Sequence, residues 1–316
     1  MEKTVLFYNL TEIVKAALYL CEKYKVMMYL DSFRLPTSDQ EERFFERFRF
    51  RFVPAEIYPW RFLSIKGFTS IDCEPITILY GGNGSGKSTA LNAIAQSIGI
   101  ERTTLFNKGV FHYDDFIAQC SYKTNPLLKV PLVEVSSMIT SDEVFDSILD
   151  TRKSNAQHDL KSAALADFYD DPTPVRGFDC DNPSSMDRYI QYANSTTRSK
   201  RSFIRGEIGD KRRTFSNGET AYLRIVKHIS EGLYLLDEPE NSLSARWQSK
   251  LAEFIKMSAY SCNCQFIIAT HSPFLLGIEG AKIYNLDEEY VTIAEWHELE
   301  STKLYYELFS KLDGKL

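Results

Sequence analysis

Gly81-Gly82-Asn83-Gly84-Ser85-Gly86-Lys87-Ser88 follows a continuous apolar run, Ile76 to Tyr80, and leads into Thr89 to Ile98, which has helical character. The apolar run is short enough for a buried central strand. Strand, glycine loop and helix is the order that a phosphate-binding unit needs. The eight residues match the GxxxxGK loop with a closing Ser, without a departure. Glycines let the backbone turn tightly so that successive amides point inward at phosphate oxygens, and the positive end of the following helix adds roughly half a unit charge. Lys87 would then reach the β- and γ-phosphates, and Ser88 would offer its hydroxyl to Mg²⁺, a hard cation that prefers oxygen ligands. Thr89 closes the turn.

A second apolar run, Leu233 to Leu236, ends in Asp237-Glu238-Pro239. A buried strand ending in two carboxylates places Asp237 near the water shell of the metal and lets Glu238 polarise an attacking water. Alone, an acidic pair at a strand end is an ordinary solvated turn; beside a phosphate loop it reads as catalytic.

These two elements resemble those of the ABC-type P-loop ATPases, and two further segments extend the likeness. Phe215-Ser216-Asn217-Gly218-Glu219 resembles the signature of that superfamily, and His271, after the run Gln265 to Thr270, resembles its switch histidine. The same signature residues also read as a capped helix start, with Ser216 and Glu219 as a capping box. The loop and the Asp237-Glu238-Pro239-Glu240 form are closer to SMC and RecF relatives than to transporter cassettes, and closer still to stand-alone bacterial "AAA family" ATPases. The resemblance covers about residues 60–100 and 214–300. It implies an α/β fold, an ABC-type ATPase head with a mixed sheet flanked by helices. Residues 59–100 and 214–316 would form the ATP-binding lobe, 101–213 an inserted helical lobe, and 1–58 an N-terminal extension.

The resemblance further implies ATP and Mg²⁺ as ligands and a composite site. Ser216 and the Gly218 amide, with Asn217 and Glu219 beside them, would contact the γ-phosphate of ATP held by a second copy. Two copies would close head to tail on two Mg-ATP and reopen on hydrolysis. Relatives of this kind accompany separate effectors, nucleases among them, in bacterial antiviral modules, so a partner effector and a defence role are what the likeness suggests. A RecF-like clamp on DNA is the alternative, with a transporter's nucleotide-binding subunit third. Departures are Asn217 for a signature glycine, Glu219 for its glutamine, and Ser242-Leu243-Ser244, which lacks the usual final aspartate of the D-loop. Glu134 to Ser137 is the candidate Q-loop region, and Trp60 or Phe62 the candidate adenine-stacking ring.

Composition agrees with this class. The chain has 316 residues, 37 basic against 43 acidic side chains, a net charge of −6 and 44% hydrophobic residues. That excludes a tail-like or collagenous chain and argues against wholesale coating of nucleic acid. Six cysteines without a CxxC pair read as reduced thiols in a cytoplasmic protein. The first apolar stretch is broken by Glu12, Lys15, Glu22 and Lys23, so no secretory signal is expected. Met257 to Ile278, the longest span free of Asp, Glu, Lys and Arg, is interrupted by Ser258, Asn263, Gln265, Thr270, His271 and Pro273. It reads as a buried strand entering a polar loop rather than a bilayer span.

Elsewhere, Leu10, Ile13, Val14, Ala17, Leu18, Cys21 and Tyr24 mark one apolar helix face. A strand is expected around Trp60 to Ile65 and another at Thr69 to Cys73. A helix is expected after Gly218 and another near Ala245 to Ser258. Closing strands follow at Lys282 to Asn285 and Val291 to Glu295, before a C-terminal helix containing Leu304, Tyr305, Leu308 and Leu312. Phe44, Phe45, Phe48, Phe50 and Phe52 interleave with Arg43, Arg47, Arg49 and Arg51, a pattern that stacks on bases or, more ordinarily, half-buries an element. The basic run Arg198 to Arg213 is either a solvated loop or a docking strip for nucleic-acid phosphate.

Overall fold

The computed structural model describes residues 27–47, 57–102, 104, 106, 108–109, 112–170, 172, 183–211 and 216–312. The apolar face at residues 10–24, the aromatic positions 48, 50 and 52, Cys21, Cys180, Phe215, Arg212 and Arg213 lie outside them.

Two compact units are present, one of residues 1–144 with 217–316, the other Phe145–Ser216. The first is built on a six-stranded sheet in the order β5 (Ser136–Thr140), β6 (Gly232–Asp237), β7 (Cys264–Thr270), β3 (Ile76–Tyr80), β8 (Lys282–Asn285), β9 (Thr292–Ala294). Pairings from β5 through β8 are parallel, and only β9 joins antiparallel. Every residue of β3 and β7 is buried, as an interior parallel strand requires, since its connections must cross the faces of the sheet. That accounts for apolar runs that are continuous rather than alternating. Helices α2 (Lys87–Ile98) and α8 (Ala245–Ser261) both pack against β7.

A smaller antiparallel sheet, β2 (Ser70–Asp72), β1 (Leu30–Arg34), β4 (Ser121–Thr124), lies in the same unit. Gln265, fully buried in β7, ties it to the large sheet. Its Oε1 accepts from the Tyr29 and Leu30 amides at 2.9 and 2.8 Å, and its Nε2 donates to the Leu30 carbonyl at 2.8 Å. An amide side chain suits this place because it satisfies donors and acceptors together in a buried seam.

The strand expected from Trp60 to Ile65 is instead a series of turns. Trp60 stacks on Phe44 of α1 (Ser38–Phe45) with centroids 4.2 Å apart and meets Phe116 edge-on. The aromatic spacing there records burial against a helix rather than strand alternation. Residues 101–144, read from sequence as the start of an inserted lobe, supply β4 and β5 to the first unit. Thr140 of β5 pairs with Asp237, so this stretch belongs to the sheet that carries the site.

Glu41 is buried beside this aromatic cluster and accepts from the Ser64 hydroxyl and, at 3.0 Å, from the Arg61 amide. Burial pushes its carboxyl above the usual range, the two hydrogen bonds opposing. The protonated form is therefore favoured by the folded chain. The stability this contributes is complete below the ordinary carboxylate pKa and is lost as pH rises through the raised value. A Glu41→Gln variant should gain thermal stability relative to wild type as pH rises from about 4 to 7, read from melting temperatures of the two proteins across that range. A constant difference would show that this carboxyl does not titrate on folding.

The second unit contains most of α4 (Ser141–Asp170), with α5 (Pro183–Thr197) and α6 (Lys200–Ile208). Phe203, fully buried, stacks with Phe168 at 6.2 Å and approaches Tyr169 at 5.8 Å. Among the described residues no helix is long and apolar enough to cross a membrane.

Candidate functional site

In a parallel sheet the carboxyl ends of adjacent strands open onto one edge, and a crevice forms where neighbouring connections diverge. Here β3, β6 and β7 deliver the glycine loop, Asp237-Glu238 and His271 to that edge. Tyr80 lies opposite Thr270, and Asp237 opposite Ala269.

The loop runs from Gly81 to Gly86, with Gly84 at φ +81° and Gly86 at φ +110° as N-cap of α2. A Cβ on Gly86 would come 2.6 Å from Leu63 Cδ2 and 3.0 Å from Phe62 Cε1, so conformation and space both demand glycine there. Lys87 is buried, and its ammonium donates to the Gly81 and Gly82 carbonyls at 2.6 and 2.9 Å, with Glu238 Oε1 3.6 Å away. Ser88 donates to Asp237 Oδ1 at 2.8 Å. Burial raises the Asp237 carboxyl above its ordinary range, partly offset by the Ser88 hydrogen bond. A hydroxyl and a carboxylate side by side are hard oxygen donors of the kind Mg²⁺ takes, and they fit that ion.

Glu238 has φ +48°, an unusual backbone for a residue with a side chain, and such strain concentrates at functional positions. Its amide donates to the Ala269 carbonyl at 2.9 Å, while Asn241 Nδ2 donates to its Oε2 at 2.9 Å. Both anchors fix where the carboxylate stands. Asn241 was not legible from sequence, because an Asn three residues past an acidic pair is a common turn residue.

Two more carboxylates emerge only in three dimensions. Asp287 follows β8 and accepts from the Gly82 amide at 2.7 Å. Nearby, Lys66 donates to the Leu286 carbonyl at 2.6 Å. Together they hold the start of the glycine loop against the β8 connection. An Asp287→Ala variant should bind ATP roughly tenfold more weakly, the scale of one lost charge-assisted hydrogen bond. Asp287→Asn, which keeps the accepting oxygen, should bind close to wild type. Calorimetric titration with both variants checks this, and equal losses in the two would assign the effect to charge. The other carboxylate, Glu240, reaches the His271 segment.

At the signature, Ser216 and Asn217 are exposed at the start of α7 (Asn217–His228). A Cβ on Gly218 would meet Trp247 Cδ1 at 3.1 Å and the Ser242 carbonyl at 3.5 Å. Glu219 follows in the first turn of α7. The signature glycine is therefore seated on the Ser242-Leu243-Ser244 segment that descends from Glu238.

Of the aromatic candidates for adenine, Trp60 is core, whereas Phe62 lies beside Gly86, with Tyr58 5.8 Å from it. Tyr58 also shares a 2.7 Å hydrogen bond with Thr89. Glu134 to Ser137 lie at the amino end of β5, with Ser136 opposite Leu233, at the far end of the strand from the phosphate loop. In the basic run, Lys200 pairs with Asp170, Arg205 with Asp210 and Lys211 with Asp159, each at 2.6 Å. Carboxylates thus answer three of the five described cations of this run.

The glycine loop with its buried lysine, set against a strand-end Asp-Glu pair at the edge of parallel strands, has the arrangement of a P-loop phosphate-binding site and resembles ABC-type, SMC-like ATPases. Residues 181–277, which include Glu238 and His271 but not the phosphate loop, match the family model described as "AAA domain, putative AbiEii toxin, Type IV TA system". No curated protein matches the chain. Among solved structures, it is similar to the Smc head domain from Pyrococcus furiosus bound to the C-terminal domain of ScpA, at 14% identity. That match covers 76% of this chain and 94% of that one, with a TM-score of 0.39. CbiO1 of Clostridium perfringens, part of the CbiONQ ABC transporter complex, is 18% identical over 78% of this chain and 87% of that one, with a TM-score of 0.36.

Proposed function

We propose that the protein binds and hydrolyses ATP with Mg²⁺ and works as a head-to-tail homodimer that closes on two nucleotides and controls a separate effector protein. The carrying observation is that Lys87, Ser88, Asp237 and Glu238 share one set of contacts although 149 residues separate Ser88 from Asp237. Lys87 would exchange its carbonyl partners for the β- and γ-phosphate oxygens, and the loop amides would hold the remaining phosphate charge. Ser88 and Asp237 would hold the metal, which neutralises phosphate charge as it moves to the leaving group. Glu238, held by Asn241, would orient a water and take its proton. His271 would meet the γ-phosphate from the end of β7.

The exposed Ser216 and Asn217 would complete the site of a second copy. Because Gly218 rests on the segment that follows Glu238, docking of that copy would be felt at the catalytic carboxylate. Antiviral defence with a partner effector, a nuclease among the candidates, is supported by the likeness of the motifs to stand-alone bacterial ATPases. Among the described residues of the basic run, three of five cations are ion-paired, which counts against the DNA-clamp alternative.

Complementation tests the composite site. Lys87→Ala and Ser216→Arg variants should each be inactive, and mixing them should restore up to about a quarter of wild-type ATPase, since half of random dimers carry one intact site. No recovery, with both variants folded and mixed dimers demonstrated, would reject sharing across subunits.

A further inference from the structure

We propose that Glu240 is the positioning residue for His271, a role that rests on the ATPase reading above. Glu240 is only 4% exposed, yet one of its oxygens gathers donors from the whole turn after β7. Oε1 accepts from the Thr270 hydroxyl at 2.5 Å, the His271 amide at 2.9 Å and the Ser272 amide at 3.2 Å. His271 Nδ1 lies 3.5 Å from the same oxygen. The other oxygen, Oε2, is buried without a hydrogen-bond partner. An orphaned carboxylate oxygen is costly to bury, so a neutral residue would be the stabler choice if packing were the only demand.

The wiring is consistent with a positioning task. Glu240 stands two residues after Glu238, on the same turn that Asn241 braces from the other side. Ser272 donates to Gln248 Oε1 at 2.8 Å, and Gln248 Nε2 donates to the Leu243 carbonyl at 2.9 Å, closing a loop of hydrogen bonds back to the segment beneath the signature. The turn carrying the catalytic carboxylate and the turn carrying the histidine are thereby one braced body. Two amide bonds set the backbone at 271 and 272, and Nδ1 of the ring stands within ion-pair range of the same carboxylate oxygen. A proton on Nδ1 would face that oxygen and leave Nε2 available to nucleotide, on a ring that is 51% exposed.

The test has a nucleotide-free arm and a kinetic arm. Long-range ¹⁵N–¹H spectra of the wild-type protein without ATP should show the Nδ1–H tautomer at His271, and Glu240→Ala should move it to Nε2–H. A wild-type ring already in the Nε2–H form overturns the proposal, and that holds even if the ATPase reading itself fails. In turnover, Glu240→Ala should lower kcat about tenfold or more with KM for ATP changed less than about threefold, and Glu240→Gln, which keeps an accepting oxygen, should recover most of the loss. In a His271→Ala background, Glu240→Ala should cost less than about twofold more. Full additivity of the two substitutions would show that Glu240 acts elsewhere. If Glu240→Ala fails to fold, the wild-type spectrum and the Glu240→Gln kinetics still decide.

Discussion

A Lys87→Ala variant is expected to lose ATP binding by about a hundredfold or more. The ammonium is buried and sits between the Gly81 and Gly82 carbonyls and Glu238. Among the described residues it is the one buried cation, placed by the loop's own geometry to meet a triphosphate. Charge-assisted hydrogen bonds contribute about 1.5–3 kcal/mol each, so removing contacts to two phosphates costs about 3 kcal/mol, or two orders of magnitude in Kd. The substitution also leaves Glu238 without its nearest positive partner, so its carboxylate would repel incoming phosphate. Equilibrium binding of ATP with Mg²⁺, alongside a thermal melt to show that the variant is folded, measures the effect. Undiminished affinity would mean that the loop does not hold the triphosphate.

A Glu238→Gln variant should separate binding from turnover. The amide keeps the shape of the side chain and can still face Asn241, so the φ +48° backbone and the Ala269 anchor remain. What disappears is the capacity to take a proton from water. A positioned general base contributes roughly 10²–10⁴-fold, and turnover should fall by that amount while ATP stays bound. With hydrolysis blocked, the closed state has no route to reopen, and the protein should accumulate as a dimer in light scattering when ATP and Mg²⁺ are present. A monomer under those conditions would exclude closure around shared nucleotide. Unchanged turnover would move the base to another residue.

The elements nearest the site were the most legible. The strand at Ile76–Tyr80 and the helix after it follow from an uninterrupted apolar run, a glycine loop and alanine-rich periodicity, all local signals. Gln265 to Thr270 was readable for the same reason, since strands buried on both faces leave near-continuous apolar sequence. The small sheet at Leu30–Arg34, Ser70–Asp72 and Ser121–Thr124 was less so. Its strands are short, and β1 is paired through partners about 40 and 90 residues away, which no window of sequence reveals. Trp60 misled because a buried aromatic gives the same pattern in a turn packed on a helix as in a strand.

Sequence alone determined the phosphate loop and its chemistry, because glycine's backbone freedom, the lysine and the serine act through eight contiguous residues whose geometry is local. Tertiary structure decided the division of labour among the carboxylates. Asp237 meets Ser88, Glu238 meets Lys87 and Asn241, Glu240 holds the His271 turn, and Asp287 holds Gly82. Four acidic side chains look alike in a sequence. They differ only once parallel pairing brings strand ends from distant parts of the chain to one edge, where hydrogen bonds of a few ångströms assign each its partner.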